Sequence, residues 1–192
     1  MVDFQKFGEI SRLSRKCIIT EKIDGTNGLI YIGENSEFLT GSRSRWITPE
    51  NDNHGFSRWA NEHKEELMQL GVGFHYGEWW GSGIQRGYGL VKGEKRFSLF
   101  NTGIWVKDRT KSLEEKQQYC PECCFVVPIL SFGMFETRLI EGVLQDLKRY
   151  GSIAAPGFMN PEGIVIFHTQ GRLYFKKTIL NDDKPKNLPK EK

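Results

Sequence analysis

Glu21-Lys22-Ile23-Asp24-Gly25-Thr26-Asn27 sets one amine among carboxylates beside a tight turn, the residue types that nucleophilic chemistry needs. A lysine held in a pocket can attack an electrophile once its surroundings lower a pKa that is about 10.4 in water. Downstream, Glu162 stands at the mouth of the apolar run Gly163-Ile164-Val165-Ile166-Phe167, and Lys176 and Lys177 lie in an alternating segment after it. Between them, Gly77-Glu78-Trp79-Trp80-Gly81 begins a stretch with five glycines in thirteen residues, the composition of a loop that lets backbone approach a ligand. On the first heptapeptide alone, a surface lysine beside a hairpin turn is an equal reading.

The elements that must position these residues follow from periodicity. Lys16 to Thr20 is β-branched and reads as a strand, which puts Lys22 on the face of Ile18 and Thr20. Asp24-Gly25 signals a turn, with Gly28 to Ile32 as the returning strand of a hairpin. Residues 1 to 15 read as an N-terminal strand or short helix. Phe56, Trp59, Ala60, His63, Leu67 and Leu70 recur at helical spacing before Gly71. Val72 to Tyr76 and Arg96 to Trp105 read as strands, Ser112 to Glu115 as the capped start of a short helix, and Thr137 to Tyr150 as an amphipathic helix closed by Gly151. Gly163 to Phe167 and Arg172 to Ile179 form a hairpin across Gln170-Gly171. In its second strand Tyr174, Lys176 and Thr178 alternate with Leu173, Phe175 and Lys177. The sum is a strand-rich α+β domain with two substantial helices.

Composition narrows the class. The chain has 192 residues, 38% of them hydrophobic, enough for one domain with a real core. No apolar run reaches the roughly 18 residues of a membrane span, and residues 1 to 6 lack a secretory pattern. Four cysteines without that pattern suggest free thiols in a reducing, cytoplasmic compartment. From Lys176 to the end, six lysines face three acids, which equals the whole net charge of +3. The body is therefore near neutral and the tail basic, which permits contact with nucleic acid without requiring it. Cys120-Pro121-Glu122-Cys123-Cys124 has the spacing of half a zinc site, but no second pair completes it, so free thiols in a turn are the favoured reading. There is no P-loop, so ATP chemistry would run through the lysine.

The order of the pieces is informative: Lys22-Ile23-Asp24-Gly25-Thr26-Asn27, Gly41-Ser42-Arg43, Gly77-Glu78-Trp79-Trp80-Gly81-Ser82-Gly83-Ile84-Gln85, Ser98-Leu99-Phe100, Glu162-Gly163-Ile164-Val165 and the late lysine strand. From Glu21 to Lys177 the chain resembles the covalent nucleotidyltransferases, the superfamily of polynucleotide ligases and capping enzymes. Within it the chain is most similar to the RNA ligase 2 family of phage-type RNA ligases. The resemblance implies a nucleotidyltransferase (ATP-grasp-like ligase) fold of antiparallel sheets flanked by a few helices, with the nucleotide between the sheets. It implies Lys22 as the nucleophile that takes AMP from ATP, Glu162 as a ligand of Mg²⁺ or Mn²⁺, Glu78 on the ribose and Phe100 on the adenine. It also implies Glu21 near the adenine amino group, Asn27 near the phosphates, and Asp24 and Gly25 within the nucleotide loop. Arg43, with Arg45 as its competitor, would be the family's catalytic arginine that follows the nucleophile in the chain; Lys176 would stand close to Lys22 and disfavour its ammonium, and Lys176 and Lys177 would serve the phosphates.

The family's late motif is Lys-x-Lys, whereas here Thr178 takes the second place. The expected organisation is a ligase catalytic domain over 1–180 and a basic tail over 181–192, without a C-terminal OB-fold or helical domain. The expected protein is a monomeric, cytoplasmic enzyme, virus-encoded or otherwise, that acts on RNA ends or a nicked duplex in RNA repair. Its alternatives are a DNA ligase or GTP-dependent capping enzyme, a self-adenylylating enzyme with another target, and a silent nucleic-acid-binding module.

Overall fold

A computed structural model describes residues 2–107 and 119–183. In chain order the elements of its first half are β1 (Lys16–Lys22), β2 (Thr26–Ile32), β3 (Phe38–Gly41), β4 (Trp46–Ile47), α1 (Phe56–Glu62), α2 (Lys64–Leu67) and β5 (Gly73–Gly81). The rest are β6 (Lys95–Leu99), α3 (Thr102–Trp105), β7 (Cys124–Val126), β8 (Ile129–Met134), α4 (Thr137–Tyr150), β9 (Gly163–His168) and β10 (Leu173–Thr178). They build a four-stranded sheet of order β10-β9-β1-β8 and a six-stranded sheet of order β4-β3-β2-β5-β6-β7. All ladders are antiparallel except β6 with β7, so the expected antiparallel α+β architecture holds with one parallel edge.

Side-chain alternation divides each sheet into a helix-covered face and a cleft face. On β1, Cys17 and Ile19 join Ile164, Ile166, Leu144 and Leu147 in a core under α4, while Ile18, Thr20 and Lys22 face the cleft. The heptad-like spacing of Leu144 and Leu147 buries one stripe of α4, and Gly151, at φ 84°, ends it in a backbone region that favours glycine. On the six-stranded sheet, Ile30, Trp79 and Phe97 pack against Phe56 and Ala60 of α1. Ring centroids of Phe56 and Phe97 lie 5.0 Å apart.

The structure corrects several local expectations. β1 and β2 do not form a hairpin: β1 pairs with β8 and β9, β2 with β3 and β5, and residues 23–25 cross from one sheet to the other. The reason is that distant groups claim the turn's polar atoms. The Asp24 N–H donates to the Tyr88 hydroxyl at 2.9 Å, and the Gly25 N–H donates to Glu78 Oε1 at 3.0 Å. Residues 2–15 form neither strand nor helix, and Phe4, Phe7, Ile10 and Leu13 are exposed. The glycine-rich stretch begins inside β5, which runs through Gly77-Glu78 to Gly81, and becomes a loop only afterwards. The strand expected over Arg96–Trp105 stops at Leu99, because Asn101 accepts the Gly103 N–H at 3.1 Å and caps α3. The helix expected up to Leu70 is broken at His63 into α1, α2 and a short turn of 3₁₀-helix. The helix start at Ser112–Glu115 and tail residues 184–192 lie outside the described residues.

Candidate active site

The two sheets enclose a cleft of about 670 Å³. Its four-stranded wall offers Thr20, Lys22, Val165, Phe167 and Tyr174; the facing wall offers Asn27, Tyr76, Glu78 and Phe100. Lys22 ends β1, directly opposite Gly163 of β9, which places it beside the residue before that strand. Lys22 Nζ lies 2.5 Å from Glu162 Oε2, and the two side chains are only 17% and 6% exposed. The nucleophile candidate and the metal-ligand candidate, 140 residues apart in sequence, are therefore one ion pair at the wall of the cleft.

Across the sheet boundary, Asn27 of β2 stands opposite Glu78 of β5 in register, and Asn27 Nδ2 donates to Glu78 Oε2 at 3.3 Å. A side chain at Gly25 would meet Trp80 Cβ at 2.8 Å and the backbone of Trp79, so glycine alone lets the crossover lie on β5. Burial pushes the Glu78 carboxyl up from 4.5 to about 7; the Gly25 N–H and the Lys22 charge pull the other way, and the charges of Glu162 and Asp24 add to the rise. A folded value above the unfolded one means that Glu78 contributes stability fully below pH 4.5, which is lost as pH rises through about 7. Glu78→Gln is therefore expected to remove up to about 3 kcal/mol of pH-dependence across that window. Urea unfolding of both proteins at pH 4.5 and 8 checks this, and parallel curves would refute it.

Lys176 stands opposite Val165 of the cleft wall, on the same strand face as Tyr174, and is exposed. Lys177 is on the other face, its ammonium 3.1 Å from Glu141 of α4 and 3.6 Å from Asp182, so it is not brought into the cleft. Thr178, at the position of the family's second lysine, donates its hydroxyl to the Leu180 carbonyl at 2.9 Å. Arg43 and Arg45 are exposed in the turn between β3 and β4, and neither lines the cleft. Phe100 lines it and is 37% exposed, open to a planar ligand.

Glu21 is held by the loop that follows α4. It borders the cleft, but its carboxylate accepts from Ser152 Oγ at 2.6 Å and from the N–H groups of Ile153 and Ala154 at 2.8 and 2.9 Å. Burial raises its pKa while those donors lower it. Asp24 likewise faces the protein, accepting from Arg86 Nε at 2.9 Å.

Sequence reasoning missed the support beneath the crossover. Tyr88 is buried, donates to the Lys22 carbonyl at 3.4 Å and accepts from Asp24, while Arg86 ties Asp24 to Asn160. The one signal for Tyr88 was an aromatic residue between two glycines, in a segment already set apart by its composition.

Glu162 supplies a hard oxygen donor of the kind a divalent cation takes alongside phosphate oxygens and waters, so this residue fits such an ion. Among the described residues no group of three or more His, Cys, Asp or Glu is disposed to hold a metal unaided. The thiols of Cys120, Cys123 and Cys124 are unbridged, and burial pushes them up, Cys123 to about 11. No described helix is long and apolar enough to cross a membrane.

Solved structures of Naegleria gruberi RNA ligase share this architecture. A mutant with ATP and Mn superposes with a TM-score of 0.58 at 20% identity, covering 85% of this chain and 49% of that one. A second mutant with ATP and Mn gives 0.59 at 18% identity, with 86% and 50% covered. A third, with AMP and Mn, gives 0.58 at 19%, with 85% and 49% covered. The chain thus spans about half the length of these ligases, and the likeness is one of fold. Comparison with curated proteins returned no match. The RNA ligase family model matches residues 15–180, from the start of β1 through the end of β10, a span that holds every element of the cleft: the chain belongs to the RNA ligase family.

Proposed function

We propose that the chain is the nucleotidyl-transferring part of an ATP-dependent RNA ligase, with Lys22 as the residue that carries AMP. The observation that carries this reading is the Lys22–Glu162 pair at the wall of a cleft whose other wall holds Asn27, Glu78 and Phe100. In the first step the Lys22 amine attacks the α-phosphorus of ATP; an N–P bond forms, the P–O bond to pyrophosphate breaks, and the amine's proton passes to solvent. An ammonium has no lone pair to give, so Lys22 must first lose a proton, to Glu162 or to solvent, before it attacks. Glu162 would hold a divalent cation, which would supply positive charge beside Lys22 and offset charge on the reacting phosphate. Phe100 offers a face to the adenine, Glu78 an acceptor to the ribose hydroxyls, and Lys176, on the cleft face, a cation to the phosphates. An RNA 5′-phosphate oxygen then displaces Lys22 from AMP, and a 3′-OH displaces AMP to seal the strand.

Incubation with α-labelled ATP and Mg²⁺ should give an acid-stable label on Lys22 that chases onto 5′-phosphorylated RNA. Labelling from ATP in preference to GTP separates this reading from a capping activity. Label that never transfers to RNA would favour another target, and no label at all would defeat the enzyme reading.

A further inference from the structure

We propose that the exposed aromatic face of the six-stranded sheet, running outward from the cleft to Trp46, is a stacking track for a single-stranded segment of the RNA substrate; this rests on the RNA ligase reading above. The register fixes the face. Tyr31 stands opposite Phe74, Leu29 opposite Tyr76 and Asn27 opposite Glu78. These pairs therefore share the side that carries the cleft residues Asn27 and Glu78. Trp46 joins them across Gly41: a side chain built on that glycine would touch Leu29 at 3.1 Å and the Trp46 ring at 3.4 Å.

The rings form a continuous row. Centroids lie 6.2 Å apart from Trp46 to Tyr31, 4.7 Å from Tyr31 to Phe74 and 6.4 Å from Phe74 to Tyr76. Trp46, Phe74 and Tyr76 are 51%, 56% and 54% exposed, while the opposite face of the same strands is sealed by Phe56 and Phe97. A sheet face that keeps large aromatics in water on one side only marks a surface for a ligand.

Three features select single-stranded RNA as that ligand. Phe74 and Tyr76 belong to the cleft wall, so the row leads to the place where Lys22 would hand AMP to a strand end. Bases present planar faces that stack on such rings whatever their sequence, whereas a paired duplex keeps its bases stacked on one another. At the far end Arg43 and Arg45 are exposed in the turn beside Trp46 and make no ion pair among the described residues, which leaves two cations for backbone phosphates.

The test measures binding in Lys22→Ala protein with a short fluorescent oligouridylate, with a blunt RNA duplex as comparison. Trp46→Ala and Tyr31→Leu are added singly; neither residue lines the cleft. Each should weaken single-strand binding roughly tenfold, within the range of one lost base stack, and leave duplex binding unchanged. Trp46→Phe and Tyr31→Phe should restore most of the loss. Lys22 labelling by ATP, read in the same variants with Lys22 intact, should persist, and melting temperatures should stay within the error of the parent. Unchanged single-strand affinity in both variants overturns the track, as does equal loss with duplex. Self-association of the parent that Trp46→Ala abolishes overturns it in favour of a contact between copies. Absence of any Lys22 label in the intact protein defeats the ligase reading itself, whereas label with unaltered RNA affinity defeats the track alone.

Discussion

Replacing Lys22 by alanine or by arginine is expected to abolish covalent labelling from ATP, a fall of at least about 10³-fold. The alanine variant has no amine. The arginine variant keeps the charge and could still pair with Glu162, but a guanidinium stays protonated and never presents the lone pair that attack requires. Arginine therefore separates the ion pair that Lys22 makes with a buried carboxylate from the nucleophilic role proposed for it. The alanine variant should also melt lower than the arginine one, because Glu162, with a side chain 6% exposed, loses the cation 2.5 Å away. Pre-adenylylated RNA supplies the missing intermediate, so both variants should seal it far better than they seal 5′-phosphorylated RNA with ATP. Labelling of the arginine variant at anything near the parent's rate would remove Lys22 from the chemistry.

The lysine was legible because residue type and order carried it. Lys22 and Asn27 share one heptapeptide, and Glu78, Phe100 and Glu162 follow at long intervals in the chain, yet all five border or adjoin one cleft. Strand periodicity also placed the late lysines: Lys176 shares a face with Tyr174 at the cleft, and Lys177 turns to Glu141 of α4. The hairpin reading of Asp24-Gly25 failed because turn chemistry is a local signal, and here its polar groups are satisfied by Tyr88 and Glu78, more than fifty residues away. Sequence gives no means of seeing that a turn's N–H groups are already spoken for. The same limit hid Arg86, whose partners Asp24 and Asn160 lie on either side of it at long range. The aromatic row was hidden for another reason: Tyr31, Trp46, Phe74 and Tyr76 look like ordinary strand residues until pairing shows that they share one uncovered face.

Glu21→Ala is expected to lower stability by about 3–5 kcal/mol, the largest effect on folding among these substitutions. Glu21 is 1% exposed, and its two oxygens satisfy one hydroxyl and two backbone N–H groups of the loop at 152–154. Alanine would leave those donors without an acceptor and open a void where the buried carboxylate had stood. For a chain of this size each kcal/mol moves the melting temperature by about 2–4 °C, so a fall of roughly 10 °C is the expected reading. Ser152→Ala removes only one of the three donors and should cost about 1 kcal/mol, although Ser152 Oγ also accepts the Ala155 N–H at 3.0 Å. The functional consequence is indirect. The loop fixed by Glu21 runs on to Asn160, which holds Arg86 against Asp24, and then to Glu162, so Glu21 sets where the partner of Lys22 stands. Below its melting point the Glu21→Ala protein should therefore label more slowly with ATP, and the loss should not be recovered by raising the nucleotide concentration. A variant that melts with the parent would show that the loop holds itself. A variant that melts lower yet labels at the parent's rate would place Glu21 in the fold alone.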